Sequence, residues 1–535
     1  MTVAEISLKI MSTQQAKIVR QESQIARYSE EVLKRDDLIR NLKEKLKLAM
    51  IRRFARAADS FVDPNAPKQD CLFDEAEFTT PLPEEEEAPE FVEVAAYPKK
   101  VVRGKRSPLP EELERVQVIY ALSEAELIGP NGEQYIEIGR EITEQLDVTP
   151  ADVKVIQHIR IKYAVKGLEE CGVKIAALPT AIIPKSIASA GLLAHVAESK
   201  YCHHLPLYRQ EQIWKNLDVN LPRNTLCRWM MEVGEKISVL VEYLFAEMKQ
   251  HPHIHADETP VTVLKDNNQS PDNPSHQGYM WVYSNHLGVV FDYQSSREGK
   301  WAEEMLGEFK GYVQTDAYSG YDRLFIGGAR ISVLCMGHAR RKFTDIQKTA
   351  GKKVRSAVAD HVVNLIAKLY HLESIAKKGR YTIEQIYEMR QEKAKPILLR
   401  LHAYLQEQYP QTPPKGLLGK AILYSLSHWE GLIRYLDDGI LNIDNNPAER
   451  LMKPFAVGRK NWLFCGNTRG ARAAANLYSL IQSAKLYDLK IFDYLKYVFE
   501  QLPTADTPKK LEQLLPVYAQ ANLPKVKNLK KNQSE

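Results

Sequence analysis

Three acidic residues far apart in the chain, Asp257, Asp316 and Glu449, stand where metal-dependent phosphate chemistry would need them. Asp257 lies in HPHIHADETPVTVL, from His251 to Leu264. If that stretch is extended, His255, Asp257 and Thr259 share one face and Ala256 and Glu258 the other, so the acid points into a cleft. Asp316 follows Gly311-Tyr312-Val313-Gln314-Thr315, a run of strand formers stopped by a Tyr-Ser-Gly turn, so this acid also ends a strand. Glu449 follows Asp444-Asn445-Asn446-Pro447-Ala448, where an Asn or Asp can cap a helix and Pro447 suits its first turn. Mg²⁺ takes oxygen ligands and few carboxylates, keeping water and substrate phosphate for its other positions. Two such ions, roughly 3.5–4 Å apart, activate the attacking oxygen of a phosphodiester and stabilise the departing one. Acids at strand ends and helix starts also serve as turn and cap residues, so spacing alone leaves both readings open.

The elements that must position these acids can be read around them. From His251 the pattern is one of strands, with Gly278 to Tyr283 and Gly288 to Tyr293 following across turn-rich segments, as hairpins require. A helix over about Arg297 to Phe309 leads to the Asp316 strand, and Ile331 to Met336 forms a fifth strand after a short helix.

The blocks HADETPV, QTDAYSGY, CMGHARRKF and NNPAERLMKPFAVGRKNWLF resemble, in this order, those of the bacterial insertion-sequence-sixty-six transposases, the large DDE-type subunit of that group. The likeness runs from about Arg52 to about Tyr494. It implies an α/β ribonuclease-H-like catalytic domain, which the strand and helix order above matches. It also implies a DDE triad, here Asp257, Asp316 and Glu449, that holds two Mg²⁺ or Mn²⁺ ions, and a reaction that cuts the ends of a mobile element and joins them to target DNA. Small accessory proteins are encoded beside members of this group, so a partner protein is implied as well. Two rivals remain: a nuclease of the same fold without strand transfer, and an inactive DNA-binding regulator.

Bulk properties agree with several domains, since 535 residues exceed a single core. The net charge of +5 is mild, so a DNA surface must come from clustering of the 73 Lys and Arg. Cys71, Cys171, Cys202, Cys227, Cys335 and Cys465 show no paired pattern, and no apolar run is long enough to span a membrane. Reduced thiols and a soluble cytoplasmic protein are expected.

The chain divides into eight stretches. Residues 1–60 read as a coiled-coil helix, because Met11, Ile18, Ile25, Val32, Ile39 and Leu46 recur every seven positions, with Gln14, Gln21 and Arg35 as imperfections of the seam. Self-association through that helix is expected. Residues 61–110 read as a linker with acidic and basic runs, in which Arg103 and Arg106 suit a minor groove or a solvated tether equally. Residues 111–180 occupy the place of the family's small zinc module, but only Cys171 is nearby and one thiolate cannot complete a tetrahedral site. No zinc is expected, and the alternation from Val153 to Tyr163 still predicts a strand.

Residues 181–248 read as helices with a helix-turn-helix flavour: Leu205 to Trp214, a turn to Leu221, then Pro222 to Met230. Arg223, Asn224 and Arg228 meet DNA if the second helix enters a major groove. A plain bundle with Trp214, Leu226 and Trp229 as core fits equally well. The first part of the catalytic core spans 249–348 and ends on His338, Arg340, Arg341 and Lys342. Cys335 and His338 fall short of a metal site, so phosphate contact is expected of that cluster. Residues 349–440 are a helical insertion. The second part of the core, 441–502, carries Glu449 with Lys453, then Arg459 and Lys460 as phosphate contacts and Trp462, more suited to the core than to stacking on a base. Residues 503–535 read as a basic, disordered tail.

Overall fold

The computed structural model describes Arg35, Ile39, Leu42 and Lys43, then residues 113–123, 126–128, 135–149, 152–165, 173–264, 275–350 and 356–526. Most of the expected coiled coil and all of the 61–110 linker lie outside the described residues. The chain clusters into two compact units, one containing Met336–Ile443 and the other Lys100–Cys335 with Asp444–Glu535.

The larger unit opens with a four-stranded sheet. Strands β1 (Glu114–Tyr120), β2 (Tyr135–Thr149) and β3 (Asp152–Val165) lie in the order β1-β3-β2, and β4 (Val173–Ile175) also pairs with β3. The expected strand around Val153 to Tyr163 is thus the centre of this sheet. Val155, Ile159, Ile161 and Tyr163 bury its alternate face, as the period of two requires. Helix α1 (Ala190–Tyr201) docks on β2 through its first residues. The hydroxyl of Ser189 caps the helix by accepting from Leu192 N–H and itself donates to the buried carboxylate of Asp147.

Helices α2 (Leu207–Lys215), α3 (Arg223–Lys236) and α4 (Ser238–Met248) follow. Trp214, Leu226 and Trp229 are buried, and Arg223, Asn224 and Arg228 are exposed. The expected core residues Leu226 and Trp229 are thus buried on one face of α3, and the residues expected to meet DNA lie on its exposed face.

A five-stranded sheet comes next, built from β5 (His253–Val263), β6 (His276–Ser284), β7 (Val289–Gln294), β8 (Gly311–Thr315) and β9 (Arg330–Leu334) in the order β7-β6-β5-β8-β9. The first three strands are antiparallel, and β8 and β9 run parallel to β5. Helix α5 (Lys300–Leu306) and a 3₁₀ turn (Ser319–Phe325) make the crossovers. Gly311 allows the close entry to β8: its φ is +139°, and a Cβ there would sit 2.4 Å from the carbonyl oxygen of Pro252.

The helical unit holds α6 (Met336–Ala350), α7 (Ala357–Lys378), α8 (Ile383–Met389), α9 (Lys395–Gln408), α10 (Leu417–Ser427) and α11 (Trp429–Ile433). A π-helical segment, Arg390–Ala394, joins α8 to α9. Arg390 is 2% exposed there and donates to both carboxylate oxygens of Glu373 and to the carbonyls of Tyr435, Asp438 and Leu441. One guanidinium thus satisfies five buried or half-buried acceptors.

The chain then returns to the larger unit with α12 (Asn446–Trp462), α13 (Thr468–Leu486) and α14 (Ile491–Gln501). Strand β7 is an edge, and edges expose unpaired backbone groups. Helix α13 closes this one with hydroxyls: Ser483 accepts from Val289 N–H and Ser479 from Phe291 N–H, each at 2.8 Å. Phe291, Phe455 and Tyr478 pack tilted or edge-on to one another beside that contact. The stretch read as a disordered tail instead continues into two short helices, Pro508–Leu514 and Pro516–Ala519, with Leu514, Leu515 and Ala519 in the core. Buried leucines outweigh the lysines around them. Residues 527–535 lie outside the described residues.

Candidate active site

Strand β5 uses its two faces differently. On one, His255 is hydrogen-bonded to Asn445 at 2.8 Å and Thr259 accepts from Arg459 Nη1 at 3.2 Å. Both partners belong to α12 or its first flanking residue, so Asp257, midway between His255 and Thr259, faces the same helix. Its carboxylate accepts from the backbone N–H of Glu258 at 2.9 Å.

Asp316 reaches the same place through the sheet. Strands β5 and β8 pair His253 with Tyr312, Ile254 with Val313 and His255 with Gln314. Asp316 follows the last residue of β8, Thr315, and its charge acts on Asp257. The Tyr-Ser-Gly turn is anchored by the acid itself, since Tyr318 N–H donates to Asp316 Oδ1 at 3.0 Å.

Glu449 lies in the first turn of α12, which Asn445 fastens to β5. Asn445 stands at the cap position, yet its side chain makes no cap bond. It donates instead to the carbonyl of Ala256 at 2.8 Å. The first helical N–H, that of Asn446, goes to the Asp444 carboxylate at 3.1 Å. The sequence argument that an Asn or Asp caps the helix is met by Asp444, whereas the Asn445 contact to Ala256, 189 residues away in sequence, has no local signature.

The electrostatics connect Asp257 to both other acids. Burial, the neighbouring charge of Glu258, and then the charges of Asp316 and Glu449 push the Asp257 carboxyl from its ordinary 3.8 up to about 8. Each added negative charge makes ionisation of the next harder. His255 is held down to about 3 by burial and by His253, so it is neutral and serves as a hydrogen-bond post.

On the other face of β5, Glu258 makes contacts that alternation alone does not reveal. Its side chain is 1% exposed and is bonded by Arg297 and by the hydroxyl of Tyr321. Its partners lie 39 and 63 residues downstream, and no motif marks them.

The other expected site residues are distributed as follows. Lys453 and Lys460 are exposed on α12, and Arg459 is half-buried by its bond to Thr259. Trp462 packs edge-on against Phe455 with ring centroids 5.5 Å apart, in keeping with the core role. His338, Arg340, Arg341 and Lys342 belong to α6 of the helical unit. There Arg341 and Lys342 are exposed, with the Lys342 ammonium 4.2 Å from the centre of the Tyr424 ring. Cys335 is buried and its sulfur accepts from Asn445 N–H.

A family model described as "Transposase IS66 family" matches residues 185–473, more than half of the chain. The chain belongs to the IS66 transposase family. A second model of the same group, the IS66 C-terminal element, matches residues 479–517, which hold the last helices of the larger unit. Among curated proteins, y4jD of Sinorhizobium fredii, described as uncharacterized, is 33% identical over 442 residues, covering 78% of this chain and 84% of that protein. A second uncharacterized protein of that organism, y4qI, is 29% identical over 77% of this chain and 78% of its own length. Among solved structures, the Mos1 transposase paired-end complex with left transposon end aligns over 48% of this chain and 80% of its own, at 11% identity and a TM-score of 0.13, a likeness too weak to specify a fold. No helix among the described residues is long and apolar enough to cross a membrane.

Proposed function

We propose that this family member is a DDE-type DNA transposase that binds the ends of an insertion sequence, cuts there, and joins the freed 3′ hydroxyl to target DNA. The observation that supports the reading is electrostatic: Asp257 is raised to about 8 by burial, by Glu258 and by the charges of Asp316, just past the end of β8, and Glu449, in the first turn of α12. The strand order β7-β6-β5-β8-β9, antiparallel then parallel, supports a ribonuclease-H-like catalytic domain.

Asp257, Asp316 and Glu449 offer carboxylate oxygens, the donors that a hard divalent cation takes. When bound, two Mg²⁺ or Mn²⁺ ions supply the charge that activates the attacking oxygen and stabilises the leaving one. Asp257 and Asp316 hold the centre of the site and Glu449 closes one side of it. His255 and Asn445 fix the approach of α12 to β5, and hence the reach of Glu449. Lys453 and Lys460 meet the DNA backbone from α12, with Arg459 beside them, and Arg223 and Arg228 do so from the exposed face of α3. His338, Arg340, Arg341 and Lys342 add phosphate contacts from the helical unit. Homo-oligomerisation through residues 1–60 and a small accessory protein complete the assembly.

A strand-transfer assay with a pre-cut 3′ end tests this. The purified chain is expected to join that end to target DNA with Mg²⁺ or Mn²⁺, and Asp316→Asn is expected to abolish joining while keeping DNA binding. Hydrolysis without joining would identify a plain nuclease. Joining that survives Asp316→Asn would remove the acids from the reaction.

A further inference from the structure

Glu258 is a costly residue to keep in its position. It is next in sequence to Asp257, so its negative charge works against gathering the acids. Its side chain is 1% exposed. Buried ion pairs can often be replaced by apolar groups of similar volume with no loss of stability, so the fold alone does not call for this carboxylate.

What Glu258 does is immobilise Arg297. Its Oε1 accepts from Arg297 Nε at 2.8 Å and Nη2 at 2.5 Å, while Oε2 accepts from the Tyr321 hydroxyl at 2.5 Å. The Tyr318 ring lies 3.7 Å from the guanidinium carbon and covers one face of the group. The hydroxyl of Tyr318 donates to the carbonyl of Arg297 at 2.9 Å, and its N–H holds Asp316. One edge and one face of the guanidinium are thereby fixed beside the second acid of the cluster. The side chain is nevertheless 41% exposed, and Nη1 makes no hydrogen bond among the described residues.

A rigid planar cation with a free donor edge suits a phosphate, whose oxygens match the arginine fork. We propose that Arg297 is a DNA-contacting residue whose Nη1 edge takes a backbone phosphodiester of the strand lying across Asp316, with Glu258, Tyr318 and Tyr321 as its positioning residues. The proposal rests on the reading of the three acids as the reaction centre, and its test separates the two.

The experiment measures binding of a duplex carrying the terminal sequence of the element that encodes this chain, in EDTA, over a series of salt concentrations. Cleavage of the same duplex in Mg²⁺ is measured in parallel. Arg297→Gln is expected to reduce the slope of log K against log salt by about 0.9, the signature of one lost phosphate contact, and to slow cleavage about a hundredfold. Arg297→Lys keeps the charge opposite Glu258, so it serves if the glutamine variant does not fold, and is expected to lose about tenfold in affinity with the fork. An unchanged slope in Arg297→Gln, or full affinity in Arg297→Lys, overturns the phosphate contact even if cleavage falls, because positioning alone would then account for the loss. Cleavage that survives Asp316→Asn overturns the reading of the acids and leaves the slope to decide Arg297.

Discussion

His255 Nδ1 lies 2.8 Å from Asn445 Oδ1 across 190 residues of sequence, and both side chains are buried. Because the Asn445 amide donates to the carbonyl of Ala256, its oxygen is the acceptor and His255 donates from Nδ1. With the imidazole held down to about 3, this is a bond between neutral groups that ordinary pH changes leave intact. It ties the start of the Glu449 helix to the strand two residues ahead of Asp257.

Replacing Asn445 by alanine strands two buried groups, the Ala256 carbonyl and the His255 N–H. Each costs about 1–3 kcal/mol when left without a partner. Asn445→Ala is therefore expected to lower unfolding stability by about 2–5 kcal/mol in urea titrations. A loss under about 1 kcal/mol would mean that water or rearrangement replaces the clamp.

The carboxyl of Asp257 couples ion binding to pH. Its pKa in the folded chain, about 8, lies above the ordinary 3.8. The stability this group contributes is therefore fully present below pH 3.8, and in the ion-free protein it is lost as pH rises through about 8. A cation must displace the proton, so Mg²⁺ or Mn²⁺ binding near neutral pH is expected to release about one proton and to tighten as pH rises toward about 8. Calorimetry in two buffers of different protonation enthalpy measures this, and heats that do not depend on the buffer would contradict it.

Gly311 is expected to resist substitution. In Gly311→Ala the new Cβ meets the Pro252 oxygen at 2.4 Å and the residue must hold φ of +139°. That oxygen accepts from Tyr312 N–H at 2.8 Å, the bond that starts the β5–β8 register. The cost is expected to be about 2–3 kcal/mol, read as a lower Tm, together with weaker Mn²⁺ binding because Asp316 rides on that strand. An unaltered Tm would show that the strand shifts at no cost.

Arg390→Met tests the helical unit. It leaves Glu373 and three carbonyls without their shared donor, at an expected cost of about 3–5 kcal/mol. Hydrogen exchange should report it as lost protection around Tyr435 to Leu441. Protection that persists there would assign the bonds no structural weight.

Much of this arrangement is legible in the sequence where the signal is local. Alternation placed His255, Asp257 and Thr259 on one face, and turn residues ended the strand before Asp316 where β8 ends at Thr315. Pro447 marked the first turn of the Glu449 helix. The signal fails where a side chain's partner is remote. Nothing near Asn445 announces its partners, and only the folded chain offers it Ala256 and His255. Alternation puts Glu258 on the face opposite Asp257, and nothing near it announces Arg297 or Tyr321. Arg459 reads as a phosphate contact, and the sequence does not show that it also donates to Thr259. The C-terminal stretch misled through its lysines, whose charge obscured the buried Leu514 and Leu515.

The claim on which the rest depends is that Asp257, Asp316 and Glu449 bind divalent cations jointly, and direct Mn²⁺ titration of the purified chain, followed by electron paramagnetic resonance, tests it most closely. Asp257→Asn, Asp316→Asn and Glu449→Gln are each expected to weaken the tightest Mn²⁺ binding by at least about tenfold while the variants stay folded. Mn²⁺ binding that is the same in all three variants as in the unaltered chain would contradict the account.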